Sequence, residues 1–357
     1  MLPEEVEAVL LRWGEPKYRA KQVFEWIHKH GVRDPEGMTN LPKSLRSKLH
    51  ETELMQALSV ERHHESSDNT EKLVLELHDK QKIESVLIPS HNKPADAVEE
   101  IVTQCISSQA GCAMGCVFCA SGVAGLKRQL SASEIIDQVL IGRSVLKPGQ
   151  KLKRLVFMGM GEPLHNYDAL CRALVVLMHP EGMNFSARRI TVSTSGLAPQ
   201  IDQLGKDFGG QIQLAISLHS TDNAVRSKLM PINRKHRIEQ LLKSLREYPL
   251  AKRARYTIEY TLMAGYNDSL KDADALVRTL RGLPVKINLI PMNPIQGSIL
   301  KAPDWDTVEA FQERLRERHL SVFMRKQRGD DIGAACGQLA FEGKVRKALE
   351  PWRQSVE

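Results

Sequence analysis

From Ile101 onward, six strand-like runs alternate with helical stretches, and this alternation restricts the fold more than any other feature of the chain. The runs are IVTQCISS, LKRLVFMGM, RRITVSTSG, IQLAISLHS, RYTIEYTLM and VKINLIP. Helical stretches between and after them include Ala132 to Val145, Asp168 to Met178, Ile238 to Glu247, Ser269 to Leu280 and Trp305 to Arg318. Strand-then-helix repeats predict a parallel sheet, closed as a barrel or left open. Upstream, Glu4 to Trp13 ends at Gly14, Tyr18 to His30 ends at Gly31, and Leu41 to Leu49 carries Pro42 in its first turn. Two strand-like runs, KLVLELHD and KIESVLIP, follow. The expected organisation is a small helical accessory domain with a strand pair over 1–90, expected to contact a nucleic-acid partner, an α/β core over 98–330, and a C-terminal tail over 331–357.

Three of the six cysteines, Cys112, Cys116 and Cys119, fall inside eight residues in GCAMGCVFC. Thiolates are soft ligands that suit iron–sulfur clusters or zinc. Structural zinc is closed by four ligands, and no His or Cys flanks this triplet at finger spacing; Cys105 lies seven residues upstream. Three cysteines on a [4Fe–4S] cluster leave one iron open to a substrate. The acidic start, MLPEEVEAVL, lacks the basic segment of a signal peptide, and no apolar run approaches the ~20 residues of a membrane span. The cysteines are therefore expected to be reduced thiols of a cytoplasmic protein.

The net charge of +7 favours a polyanionic partner. Basic residues concentrate between Lys17 and Lys48, and again at Arg314, Arg316, Arg318, Arg325, Lys326 and Arg328. Solvated helix faces explain such runs equally well.

In α/β barrels, ligands meet the C-terminal ends of the strands. Polar residues gather there in this sequence. Gly159-Met160-Gly161-Glu162-Pro163 follows the second run, Ser193 closes the third, Ser217-Leu218-His219 closes the fourth, and Asn293 follows the sixth. Each alone is a weak signal; with the cysteine triplet they outline one cradle.

The triplet, with Phe118 before its last cysteine, resembles the signature of radical S-adenosylmethionine (SAM) enzymes. The longer set MGMGEP, STSG, SLH, LMPIN, NLIPMNP and RGDDIGAACGQLA resembles the RlmN/Cfr family of radical SAM RNA adenine methyltransferases, over Glu84 to Ala340. The resemblance implies a partial (β/α)6 TIM-like barrel whose tail carries a catalytic cysteine. It also implies a [4Fe–4S] cluster on Cys112, Cys116 and Cys119, SAM held by Gly161, Glu162, Ser193, Ser217, Leu218, His219 and Asn293, and two SAM molecules used per turnover. Adenine C2 is electrophilic and cannot attack a SAM methyl group. In the family, a first SAM methylates a cysteine, here Cys336. A second SAM yields a 5′-deoxyadenosyl radical that takes hydrogen from this methyl group, and the resulting carbon radical adds to the base. By position Cys105 resolves the covalent adduct through a disulfide, and Glu84 accepts the proton.

Within the family, Pro163, Arg328-Gly329-Asp330-Asp331 and KINLIP resemble the branch that methylates C2 in 23S rRNA and in certain tRNAs. GLKRQL, IDQVL and RSKLMPIN resemble the branch that methylates C8 of the rRNA adenine. The expected partners are 23S rRNA, tRNA and a reducing electron donor, with no membrane. Readings of other kinds are a non-catalytic RNA-binding protein with a structural metal and another radical SAM enzyme. Neither needs Cys336.

Overall fold

The computed structural model describes residues 1–52, 58–90, 99–295 and 298–339. Among the described residues, ten strands form one sheet. Its first strands are β1 (Ser59–Glu65), β2 (Glu71–Glu76), β3 (Lys82–Pro89) and β4 (Glu100–Cys105), paired antiparallel in that order. A separate two-stranded ladder of β5 (Gln109–Ala110) and β6 (Arg128–Gln129) closes the cysteine loop. Then β7 (Gln150–Phe157), β8 (Ile190–Thr194), β9 (Gln213–Ser217), β10 (Tyr256–Leu262), β11 (Val285–Pro291) and β12 (Val322–Met324) continue the main sheet from β4, all parallel.

The six expected runs are β4 and β7 to β11, in sequence order across the sheet, which is the partial barrel implied above. The sheet is mixed because β1 to β3 extend it on one side. Two strands of this sheet lie outside the expectation, as do the short β5 and β6. The sequence of β1, SVERHHE, has no apolar alternation and lies almost wholly exposed at the sheet edge, where charged side chains discourage further pairing. The other, β12, is three residues long, too short for a period-2 pattern.

Helices cover the crossovers: α4 (Ala120–Ala124) and α5 (Ala132–Ser144) after β4, α6 (Tyr167–Met178) after β7, α7 (Ala198–Phe208) after β8, α8 (Asn223–Leu229) and α9 (Ile238–Glu247) after β9, α10 (Leu270–Thr279) after β10 and α11 (Trp305–Glu317) after β11. Their starts follow sequence chemistry. Ser131 and Glu134 form a capping box on α5, Ser269 and Asp272 one on α10, and Asp304 caps α11.

Near the N-terminus, the first and third expected helices shift by a residue or two, to α1 (Pro3–Arg12) and α3 (Lys43–His50), while the second stretch is α2 (Tyr18–Phe24) followed by a π-helical turn to Lys29. These helices bury their own cluster, including Val6, Leu10, Val23, Leu41, Leu45 and Leu49. Phe24 packs instead into the main core, against His28 and His179. Among the described residues, no helix is long and apolar enough to cross a membrane.

Candidate active site

The C-terminal ends of the parallel strands surround one cavity, with an empty volume of about 930 Å³ that includes its mouth. It is lined by Cys112, Cys116 and Cys119 from the loop after β4, Gly161 and Glu162 after β7, Ser193 on β8, Ser217 on β9, His219 after it, Asn293 after β11, and Cys336 from the tail. Cluster cysteines, strand-end residues and tail cysteine, all singled out in sequence, thus meet in one place.

The cysteine loop folds tightly. A Cβ at Gly111, which has φ +77°, would lie 1.9 Å from the Gly125 carbonyl oxygen, so only glycine lets the loop close on itself. Burial raises all three thiol pKa values, that of Cys112 to about 12, with each of Cys112 and Cys116 raised further by neighbouring cysteines of the triplet. Three buried thiolates need positive charge beside them. Among the described residues, no three His, Cys, Asp or Glu side chains are gathered closely enough to hold a single ion. The three thiols share one cavity wall. Arg226 supplies a buried cation near Cys116. Three soft thiols on one cavity wall, with a buried guanidinium near Cys116, fit the ligand set of a three-cysteine cluster.

Gly161 has φ +104°, and a Cβ there would meet Gln109 at 2.6 Å, so this loop needs glycine to pack on the segment after β4. Next to it, the Glu162 carboxylate accepts bonds from the Ser195 amide and hydroxyl, both at 2.7 Å, and from the Leu164 amide at 3.1 Å. Burial outweighs these bonds and raises its pKa. His219 sits at φ +56°. Its Nδ1 accepts the Thr261 amide at 2.9 Å, so the neutral ring carries its hydrogen on Nε2. Burial, and secondarily Arg226, lowers its pKa to about 3. Phe118 meets the ring edge-on, 4.8 Å between centroids.

Leu218 does not line the cavity; its side chain is in the core. Its amide donates to the Glu259 carbonyl at 3.1 Å, and its carbonyl accepts Arg226 Nε at 3.0 Å.

The tail is held by the elements around it. Asn293 Nδ2 donates to the Cys336 carbonyl at 2.9 Å, the Ala120 amide to the Gly337 carbonyl at 2.8 Å, and the Ser121 hydroxyl to the Leu339 carbonyl. Asp331 accepts the Ser66 hydroxyl at 2.5 Å and the Ser67 amide at 3.1 Å, which ties the tail to the β1–β2 hairpin.

Cys105 and Glu84 lie outside the first cavity. Cys105 lines a neighbouring one, together with Cys336, Asn293 and Arg325. All six cysteines are free thiols. Burial, then the Cys336 charge, pushes the Cys105 thiol up to about 12, while Arg325 opposes this. Glu84 shares a face of β3 with Val86, which pairs with Cys105, and with Ile88; both line that second cavity. Lys72 Nζ lies 3.3 Å from the Glu84 carboxylate and 3.4 Å from the Gly333 carbonyl, linking Glu84 to the tail.

Sequence reasoning missed three residues. Arg325, which in sequence is one charge in a basic run, lines both cavities and lies 3.6 Å from the buried Glu259 carboxylate. Glu259, on β10, reads in sequence as an ordinary strand position. Arg226 is fully buried; it donates to the carbonyls of Ser195 at 2.7 Å, Ser217 at 3.0 Å and Leu218, and to Asn233 at 2.8 Å. It joins the ends of β8 and β9. Its place at the head of RSKLMPIN is the available signal.

Known proteins bear on this geometry. Residues 106–277 match the radical SAM superfamily, and residues 1–54 match the ribosomal RNA large subunit methyltransferase N-terminal domain. A dual-specificity RNA methyltransferase RlmN of Sorangium cellulosum is 55% identical, over 98% of this chain and 97% of that protein. One from Geobacter sulfurreducens is 44% identical, over 98% and 92%. The crystal structure of a radical SAM methyltransferase from Sphaerobacter thermophilus superposes with a TM-score of 0.89 at 41% identity, covering 95% of this chain and 97% of that one. With near-complete coverage of such relatives, and with cysteine triplet, strand-end cradle and tail cysteine in one fold, the chain belongs to the RlmN family of radical SAM RNA methyltransferases.

Proposed function

We propose that the protein methylates C2 of an adenine in 23S rRNA near the peptidyl-transferase centre, and of the adenine next to the anticodon in certain tRNAs, consuming two SAM molecules per turnover. The observation that carries this reading is the position of Cys336, which lines both the cavity of the cysteine triplet and the neighbouring cavity of Cys105. A methyl-carrying sulfur must face the radical source on one side and the base and resolving thiol on the other.

Cys112, Cys116 and Cys119 would hold the cluster, and Gly161, Glu162, Ser193, Ser217, His219 and Asn293 would hold SAM, with Leu218 contributing main chain. When bound, the reduced cluster and SAM supply a hydrogen-abstracting radical. Cys336, as thiolate, first takes a methyl group: a sulfur–carbon bond forms as the sulfonium–methyl bond of SAM breaks. After loss of one hydrogen atom, the Cys336 methylene would bond to adenine C2, and the odd-electron adduct would give up one electron, which the oxidised cluster could take. Glu84 accepts the C2 proton. Cys105 thiolate then attacks Cys336 Sγ; the disulfide forms, the sulfur–methylene bond breaks, its electron pair returns to the base, and a proton taken up at the methylene completes the methyl group. An external reductant restores both thiols, and an electron donor supplies the cluster. These needs and the RNA substrates are those of a cytoplasmic enzyme.

The test is Cys105→Ala in anaerobic turnover. This variant should accumulate RNA covalently attached to Cys336, resolved as a slow-migrating band under denaturing conditions. Free methylated RNA at the wild-type rate, with no attached species, would refute the resolving role.

A further inference from the structure

The cavity that carries Cys105 has an empty volume of about 1800 Å³, against about 930 Å³ for the cavity of the triplet. The larger of the two spaces beside Cys336 is therefore on the Cys105 side. Its wall is positive: Arg154, Arg325, Lys326 and Arg328 line it, with no Asp or Glu among the lining residues. Two acids act nearby. Glu259 lies 3.6 Å from Arg325, and Asp68 lies 3.6 Å from Arg328. Arg154 and Lys326 are exposed and form no ion pair among the described residues.

Trp305 also lines this cavity, at the first position of α11, and is 57% exposed. Its indole nitrogen donates to Glu309 at 2.7 Å. That bond fixes the ring's orientation while leaving much of its surface to solvent. An exposed, oriented indole beside unpaired cations has the two parts of a single-strand nucleic-acid platform, a stacking surface and phosphate contacts.

We propose that this cavity is the port through which the target nucleotide reaches Cys336, with a flanking base of the RNA loop stacked on Trp305 and the adjoining phosphates held by Arg154 and Lys326. The ligand is an unpaired RNA segment. A base inside a duplex is shielded, so a base splayed from its neighbours must have those neighbours held elsewhere. Trp305 is then a positioning residue that acts on affinity and not on the bond-making steps. The proposal rests on the methyltransferase reading for its substrate, and on the port's own residues for its location.

The test uses the full chain with its cluster reconstituted anaerobically, and a fluorescently labelled, unmodified tRNA anticodon stem-loop. Kd is followed by anisotropy over a salt series for wild type, Trp305→Ala, Trp305→Phe and Arg154→Gln/Lys326→Gln. Trp305→Ala should weaken binding by about tenfold, as loss of one stacked base does, and should raise KM more than it lowers kcat. Trp305→Phe should recover most of that loss. The double variant should flatten the slope of log Kd against log salt by roughly 0.7 per lost contact. Unchanged Kd and KM in Trp305→Ala, with normal methylation, would overturn the port and leave the methyltransferase reading intact. Trp305-dependent binding with no methyladenosine from wild type would overturn that reading and support the port.

Discussion

Asn293 Nδ2 donates a hydrogen bond to the main-chain carbonyl of Cys336 at 2.9 Å. A residue implied by resemblance as a SAM contact is thus also the clamp on the cysteine proposed to carry the methyl group. Misplacing a reacting group by about 1 Å can lower a rate by about a hundredfold. Asn293→Ala should therefore reduce Cys336 methylation in the absence of RNA by at least about tenfold, while the visible absorbance of the cluster stays that of wild type. Peptide mass spectrometry of Cys336 after incubation with SAM checks this.

Arg325 lies beside Cys105 and Cys336, and its charge lowers the pKa of both thiols against the dominant effect of burial. Its amide donates to the Leu289 carbonyl at 2.9 Å, and the Glu259 carboxylate, 3.6 Å from its guanidinium, is itself held by Asn288 at 3.0 Å. Removing the charge leaves less thiolate at Cys105. Arg325→Gln should slow resolution of the RNA adduct by about tenfold, and Arg325→Lys by less, because the attack needs thiolate. Quench-flow measurement of adduct decay is the readout, and raising the pH should partly rescue the Gln variant.

His28 is buried between the N-terminal helices and the core, and its Nδ1 has no hydrogen-bond partner among the described residues. Burial, with lesser repulsion from neighbouring positive groups, lowers its pKa from 6.5 to about 3. The unfolded chain therefore binds a proton here between pH 6.5 and 3 that the native chain does not. The contribution to stability is complete above pH 6.5 and declines as pH falls toward 3. His28→Phe should lessen the drop in Tm between about pH 7 and pH 5. An unaltered pH dependence would mean that His28 is not the titrating group.

Gly161→Ala adds a Cβ that would lie 2.6 Å from Gln109 at a φ of +104°. Strain of this kind is on the order of 1–3 kcal/mol. The variant should fold with a lower Tm and bind SAM more weakly, measurable by calorimetry and by equilibrium dialysis.

Much of this architecture is legible in the sequence because parallel strands buried on both faces, such as LAIS and TIEYTL, stand out between helices with capping residues. The cysteine triplet and strand-end residues are legible for the same reason: a barrel gathers whatever follows its strands. What escapes has no local pattern. The edge strand β1 is polar, β12 is three residues long, and the roles of Arg226, Glu259 and Arg325 arise from partners far away in sequence. Arg325 reads as one charge in a basic run until β12 pairs with β11 and aims it at Glu259. Glu84 and Cys105 are placed by resemblance; the strand register Val86↔Cys105 gives that placement a physical basis without itself assigning their roles.

The most direct measurement is anaerobic turnover of the reconstituted protein with SAM, a reductant, and unmodified 23S rRNA fragment or tRNA, followed by nucleoside mass spectrometry against standards. Wild type should produce 2-methyladenosine, and Cys336→Ala should produce none. 8-Methyladenosine from wild type, or full activity of Cys336→Ala, would contradict the account.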